Sequence, residues 1–129
     1  MRQIIALASS LSAGCKYCQA HTSHGAERAG IDQPKIAEIL NYKDSELYAD
    51  DEKAVLDLAF AAGQTPNRSS KEHFNELKKH FSDDVITDIV YVISIFGFLN
   101  RWNDTLGTVL EDVPKGFVED KLKPLGWNK

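Results

Sequence analysis

Both cysteines of the chain and two of its four histidines fall within Gly14-Cys15-Lys16-Tyr17-Cys18-Gln19-Ala20-His21-Thr22-Ser23-His24. Two thiols three residues apart at a helix start can close a disulfide with little backbone movement. The free N–H groups and the positive dipole end of the first turn favour a thiolate there, and Lys16 adds positive charge. Two other readings compete for the same residues. Cys-x-x-Cys followed by two histidines has zinc-ligand types, and two cysteines can simply fill space. Helical geometry counts against zinc. At about 100° and 1.5 Å per residue, Cys15, Cys18, His21 and His24 step round by roughly −60° each. His24 then points about 180° from Cys15 and lies about 13 Å further along the axis. Four ligands so placed do not converge on one tetrahedral ion, and neither a metal nor another cofactor is expected. The redox reading of Cys15 and Cys18 is the one the spacing favours.

Other polar residues carry blander expectations. His24 reads as a packing or surface histidine, and His73 and His80, beside Lys71, Lys78 and Lys79, read as solvated. Asn100, Arg101, Asn103 and Asp104 could line the cysteine pocket, but capping, pairing or contact with a neighbouring subunit is the favoured reading. Asp50-Asp51-Glu52 has the look of a helix first turn. Tyr17 stands between the thiols as a shield from water, and Trp127 is expected to anchor in a subunit groove.

The elements that must position the thiols are helical, because apolar residues recur at helical spacing and alternating strand patterns are scarce. Ile4, Ile5, Leu7, Ala8 and Leu11 predict a helix over Arg2–Ala13, stopped by Gly14. A second runs from about Cys15 to Ala29, ending at Gly30. Asp32 offers an N-cap, with Pro34 in the first turn of a short third helix. Leu47–Ala62 ends at Gly63, and Gln64–Ser69 is the clearest break. Ser69 with Glu72 fits a capping box for the next helix. Ser82-Asp83-Asp84 opens the longest helix, reaching about Leu106, whose middle is apolar on nearly every side and so expected to be buried all round, either in the core or partly against another subunit. An irregular tail is expected from about Glu111, where Pro114, Gly116, Pro124 and Gly126 cluster. The expected architecture is all-α, about six helices in one domain over residues 1–129.

A chain of 129 residues with 43% apolar and 26% charged residues can hold one core without disulfide staples. Its net charge of −4 provides no footprint for a phosphate backbone, so nucleic acid is not an expected partner. The uncharged apolar run Ile89–Leu99 falls short of the roughly 20 residues that span a bilayer, and no membrane partner is expected. Met1-Arg2 before Ile4–Ala8 imitates a signal peptide, but the apolar stretch is shorter than the roughly 7–15 residues such a segment needs. A cytoplasmic location is expected.

Arg2–Gly30, with Ile4-Ile5-Ala6-Leu7 leading into Ala13-Gly14-Cys15-Lys16-Tyr17-Cys18-Gln19-Ala20-His21-Thr22, resembles the core of the alkylhydroperoxidase AhpD-like branch of the carboxymuconolactone decarboxylase family. Phe98-Leu99-Asn100-Arg101-Trp102-Asn103-Asp104-Thr105-Leu106-Gly107 is similar to the last core helix of its peroxidase-related members. The resemblance implies an all-helical fold, a homotrimer or homohexamer, and thiol-dependent hydroperoxide reduction reset by an external dithiol or protein reductant. It implies that Cys15 and Cys18 cycle between dithiol and disulfide, with a histidine and an upstream glutamate relaying protons. Two positions differ. The glutamate, twelve residues before the first cysteine, is Gln3 here, which cannot take up a proton. Where many members place a histidine, this chain has Thr22, and His21 stands one residue earlier. His21 lies about 60° round the helix from Cys18 and so neighbours that sulfur. The candidate catalytic residues are therefore Cys15, Cys18 and His21. Helix position favours Cys15 as the more acidic thiol and His21 favours Cys18, which leaves the attacking thiol open. A weakened relay would suit a second role, a dithiol carrier or redox-sensing partner that exchanges disulfides without reducing peroxide. Lactone decarboxylation has no need of a redox pair.

Overall fold

The computed structural model describes residues 1–127. α1 (Arg2–Ala13) is buried almost continuously from Ile4 to Ser10, because it runs through the centre of the molecule. Two serines sit in that core at no net polar cost. Ser9 and Ser10 each donate to the carbonyl four residues earlier, those of Ile5 and Ala6. α1 ends at Gly14, whose φ of 78° is left-handed. Gly14 N–H donates to Leu11 O and Cys15 N–H to Ser10 O, the two bonds of a Schellman motif. The chain reverses there directly into α2 (Lys16–Arg28), which packs back along α1. Gly25 leaves room on α2 for the end of the Gln3 side chain of α1. A Cβ at that position would stand 2.9 Å from Gln3 Oε1.

α3 (Gln33–Ala37) and a short 3-10 turn (Glu38–Asn41) lead to α4 (Asp50–Ala62). α4 lies against the other side of α1, where Ser12 Oγ donates to Phe60 O at 2.6 Å. Asp50, Asp51 and Glu52 occupy its first turn, as expected. α5 (Lys71–Leu77) starts one residue later than the sequence suggested. Ser70, not Ser69, is its N-cap, and His73 rather than Glu72 accepts from the Ser70 N–H, at 3.0 Å. An imidazole nitrogen is as good an acceptor there as a carboxylate, so His73 is a capping residue and not simply solvated.

α6 (Asp83–Leu106) buries only part of its apolar surface within the chain. Ile86, Ile89 and Ile93 are buried against the molecule, but Tyr91, Phe98, Trp102 and Leu106 are 65%, 63%, 55% and 64% exposed. A helix at the edge of the chain buries only one face within that chain. By length and composition α6 is also long and apolar enough to cross a bilayer, alone among the described helices. The run Ile89–Leu99 is shorter because it stops at Asp88 and Asn100, which the whole helix takes in.

The tail beyond Glu111 is not irregular. α7 (Asp112–Phe117), a π turn (Val118–Leu122) and a 3-10 turn (Lys123–Leu125) fold back over α2 and α3. Pro114 lies in the first turn of α7, where a missing N–H breaks nothing. Trp127 is 2% exposed within its own chain, so it anchors the tail internally instead of in a neighbouring subunit. The core joins Ile4, Ile5 and Leu7 to Ile36, Ile39, Val55, Leu56, Leu58, Leu77, Phe117 and Leu122. The described residues are all-α.

Candidate active site

Cys15 and Cys18 occupy the N-cap and third positions of α2, and both are buried free thiols. The Cys15 sulfur accepts from the Cys18 backbone N–H at 3.4 Å, doing for α2 what a serine or aspartate cap usually does. Cys15 is completely buried. Burial therefore outweighs helix position. Desolvation, with smaller influences from the neighbouring Cys18 thiol and from hydrogen bonding to Asp104, pushes the Cys15 thiol up to about 12. The advantage that helix position would give Cys15 is thus offset by its burial.

Cys18 faces α6. Asn103 Nδ2 donates to the Cys18 sulfur at 3.6 Å and to Leu99 O at 2.9 Å. Asn103 thus meets the Cys18 thiol directly, and Asp104 lies on the Cys15 side. Sequence offered Asn103 for the cysteine pocket only as the less favoured reading, because 85 residues separate it from Cys18. Asn100, one turn earlier, is 2% exposed, and among the described residues neither its Nδ2 nor its Oδ1 has a partner. It faces an open trough of about 950 Å³ that also reaches Ser12, Gly63, Phe98 and Asp104.

His21 lies one turn beyond Cys18 and is half-exposed. Its Nε2 pairs with Glu111 Oε2 at 2.6 Å, and Tyr17 OH donates to Glu111 Oε1 at 3.1 Å. The Tyr17 and His21 rings lie 4.4 Å apart. Tyr17 is thus part of a polar cluster with Glu111 and His21. Glu111, the carboxylate of this cluster, escaped the sequence reading because nothing in its local sequence marks it. Gln3 is elsewhere, against Gly25 at the far end of the hairpin from the thiols. Thr22 is buried and donates back to Cys18 O at 2.6 Å. His24 turns to Phe117, with ring centroids 5.3 Å apart. With His21 held by Glu111 and His24 by Phe117, the four sequence-level zinc ligands diverge. Among the described residues no three His, Cys, Asp or Glu side chains converge as a metal site would require.

Comparison with known proteins bears on this arrangement. A model of the carboxymuconolactone decarboxylase family matches residues 1–64. The debrominase Bmp8, as a cysteine-to-alanine variant in complex with 2,3,4-tribromopyrrole, is 35% identical with a TM-score of 0.87. The match covers 92% of this chain and 64% of that one, so this chain spans less than two thirds of Bmp8. A protein of unknown function from Agrobacterium tumefaciens, provisionally named as an AhpD antioxidant-defence protein, is 22% identical with a TM-score of 0.80. It is matched over 85% of this chain and 76% of its own. The uncharacterized protein YdfG of Bacillus subtilis is 27% identical over 104 residues, 79% of this chain and 68% of its own length. The matched residues 1–64 contain the thiol-bearing hairpin, the fold around it is AhpD-like, and the chain belongs to the carboxymuconolactone decarboxylase family.

Proposed function

We propose that the chain is a dithiol peroxidase in which Cys18 attacks a hydroperoxide and Cys15 resolves the product. The observation that carries this reading is the asymmetry of the pair. Cys18 receives a side-chain amide donor, whereas Cys15 is wholly buried and keeps its proton. In the first step the Cys18 thiolate bonds to the terminal peroxide oxygen, the O–O bond breaks, and the alkoxide leaves and is protonated to alcohol. The Cys18 sulfenic acid is then attacked by Cys15, which closes the disulfide and releases water. An external dithiol or protein reductant returns two electrons and two protons. A reducing compartment such as the cytoplasm suits this cycle.

The test is a stopped-flow titration of reduced protein with cumene hydroperoxide, with thiols counted before and after. Two thiols should disappear per hydroperoxide consumed, Cys18→Ser should be inert, and Cys15→Ser should stop at a sulfenic acid trapped by dimedone. Consumption no faster than in Cys18→Ser would overturn the reading. A mixed disulfide with another protein in its place would favour the carrier role.

The likeness to Bmp8 favours a second reading in which the same thiols reduce a carbon–bromine bond. Cys18 would take bromine from the ring carbon, the carbon would gain a proton, and Cys15 would displace bromide from the sulfenyl bromide. Bromide released from 2,3,4-tribromopyrrole with loss of two thiols would support it.

A further inference from the structure

Glu111 lies beyond α6, outside both sequence segments that carry the chemistry, yet it closes over the thiol end of α2. Its two carboxylate oxygens are divided between two α2 side chains, Oε2 to His21 Nε2 at 2.6 Å and Oε1 to Tyr17 OH at 3.1 Å. The Tyr17 ring packs against the imidazole with a centroid separation of 4.4 Å. His21 is therefore held from two sides. With Nε2–H donating to Glu111, the neutral ring carries its free lone pair on Nδ1. His21 and Cys18 are three residues apart on one helix, so their side chains are surface neighbours. We propose that Glu111 is the positioning residue of a Cys18–His21–Glu111 proton path, fixing the tautomer in which His21 Nδ1 takes the Cys18 thiol proton.

This inference rests on the reading of Cys18 as the reacting thiol. Its chemistry is that of an acid–histidine–nucleophile array, in which the third group orients the base. The Cys18 S–H proton moves to Nδ1, the thiolate is left on sulfur, and the imidazolium is balanced by the Glu111 carboxylate. On reaction with a hydroperoxide the same proton is available to the departing alkoxide. The Glu111 carboxylate is held below its usual range by its own backbone N–H, His21 and Tyr17, so it is ionised whenever His21 needs it. The groups that meet His21 are Tyr17 on α2 and Glu111 before α7, with Cys18 one turn back on the same helix. Asp104 lies on the Cys15 side, and Lys16 and Lys115 line the adjoining groove. Gln3, packed on Gly25, takes no part in this path.

The test measures alkylation of Cys18 by iodoacetamide in full-length Cys15→Ser protein between pH 5 and 10, which needs no natural substrate. Against that background, His21→Asn should slow alkylation at pH 7 by about a hundredfold, the low end for a positioned acid–base group. Glu111→Gln should slow it roughly tenfold and change the shape of the pH profile, because the ring remains but its tautomer is free. Glu111→Asp should recover part of the loss. The double variant should lose no more than His21→Asn alone, since Glu111 acts through His21. Far-UV circular dichroism and thermal unfolding should be unchanged, as Glu111 is exposed. An unchanged rate and profile in Glu111→Gln, or losses that multiply in the double variant, would overturn the proposal. If hydroperoxide is not consumed but Glu111→Gln still slows alkylation, the peroxidase reading fails and the proton path stands.

Discussion

Burial and helix position act on Cys15 in opposite directions, and the magnitudes decide between them. The dipole of a helix end contributes about 0.3–1 kcal/mol, whereas complete desolvation can move an ionisable group by several times that. The thiol form is therefore favoured by folding, which has a consequence for stability. Below the ordinary cysteine range both folded and unfolded chains hold the proton, and Cys15 carries no penalty. As pH rises the unfolded thiol ionises first, so stability falls until the folded thiol ionises too, near 12. Tyr42 and Tyr48, both raised by burial, titrate in the same direction. The Cys15 part is isolated by difference. Urea unfolding of reduced wild type and Cys15→Ser should give curves that are parallel below pH 8 and converge or cross towards pH 11. Curves that stay parallel throughout would show that Cys15 is not held as the thiol. At Cys18 the matching test is Asn103→Leu. A hydrogen bond to a charged group is worth about 1.5–3 kcal/mol, so Cys18 alkylation at pH 7 should slow at least about tenfold in that variant. An undiminished rate would remove Asn103 from the site.

Each thiol owes its place to the turn between α1 and α2, and that turn rests on one residue. Gly14 has φ 78°, and a Cβ there would meet nothing within 4 Å. Gly14→Ala therefore costs conformation without collision, about 1–2 kcal/mol for a left-handed non-glycine residue. Calorimetry should show a melting point lower by roughly 3–8 °C, with the two thiols closing a disulfide more slowly as the Schellman turn loosens. A melting point unchanged within 1 °C would refute the turn's role. This hairpin was also the most legible part of the sequence. Gly14 and Gly30 punctuate the first two helices, and the spacing of Ile4, Leu7, Ala8 and Leu11 names the buried face. What spacing did not fix are the groups that meet Cys18 and His21. Asn103 and Glu111 come from α6 and the segment after it, 85 and 90 residues away from Cys18 and His21. No local periodicity links such positions; only the packing of α6 and α7 onto α2 does. The tail was misread for a related reason. Pro114 and Gly116 suggest irregularity one at a time, but proline in a first turn is compatible with a helix, and burial of Phe117, Leu122 and Trp127 holds the segment down.

The whole molecule has one face that its own chain leaves uncovered. Tyr91, Ile95, Phe98, Trp102 and Leu106 follow one another at spacings of four, three, four and four residues, so they form one stripe along α6. Each is at least 40% exposed, and the Phe98 and Trp102 rings stack 5.9 Å apart. A contiguous apolar stripe of this kind marks a contact surface. A second copy of the chain is the partner we propose, in the trimer or hexamer that the family resemblance implies, because a closed symmetric assembly would bury the stripe of every subunit at once. Ile93 is only 6% exposed within its own chain, so Ile93→Asp should unfold the protein by burying an unpaired carboxylate. Phe98→Asp is the discriminating variant. It should keep the circular dichroism of the wild type while light scattering falls from the mass of an oligomer to that of one chain. A wild-type protein that is monomeric at micromolar concentration would overturn the assembly. So would a protein that needs detergent to stay in solution and partitions into phosphatidylcholine vesicles, which would assign the stripe to lipid instead.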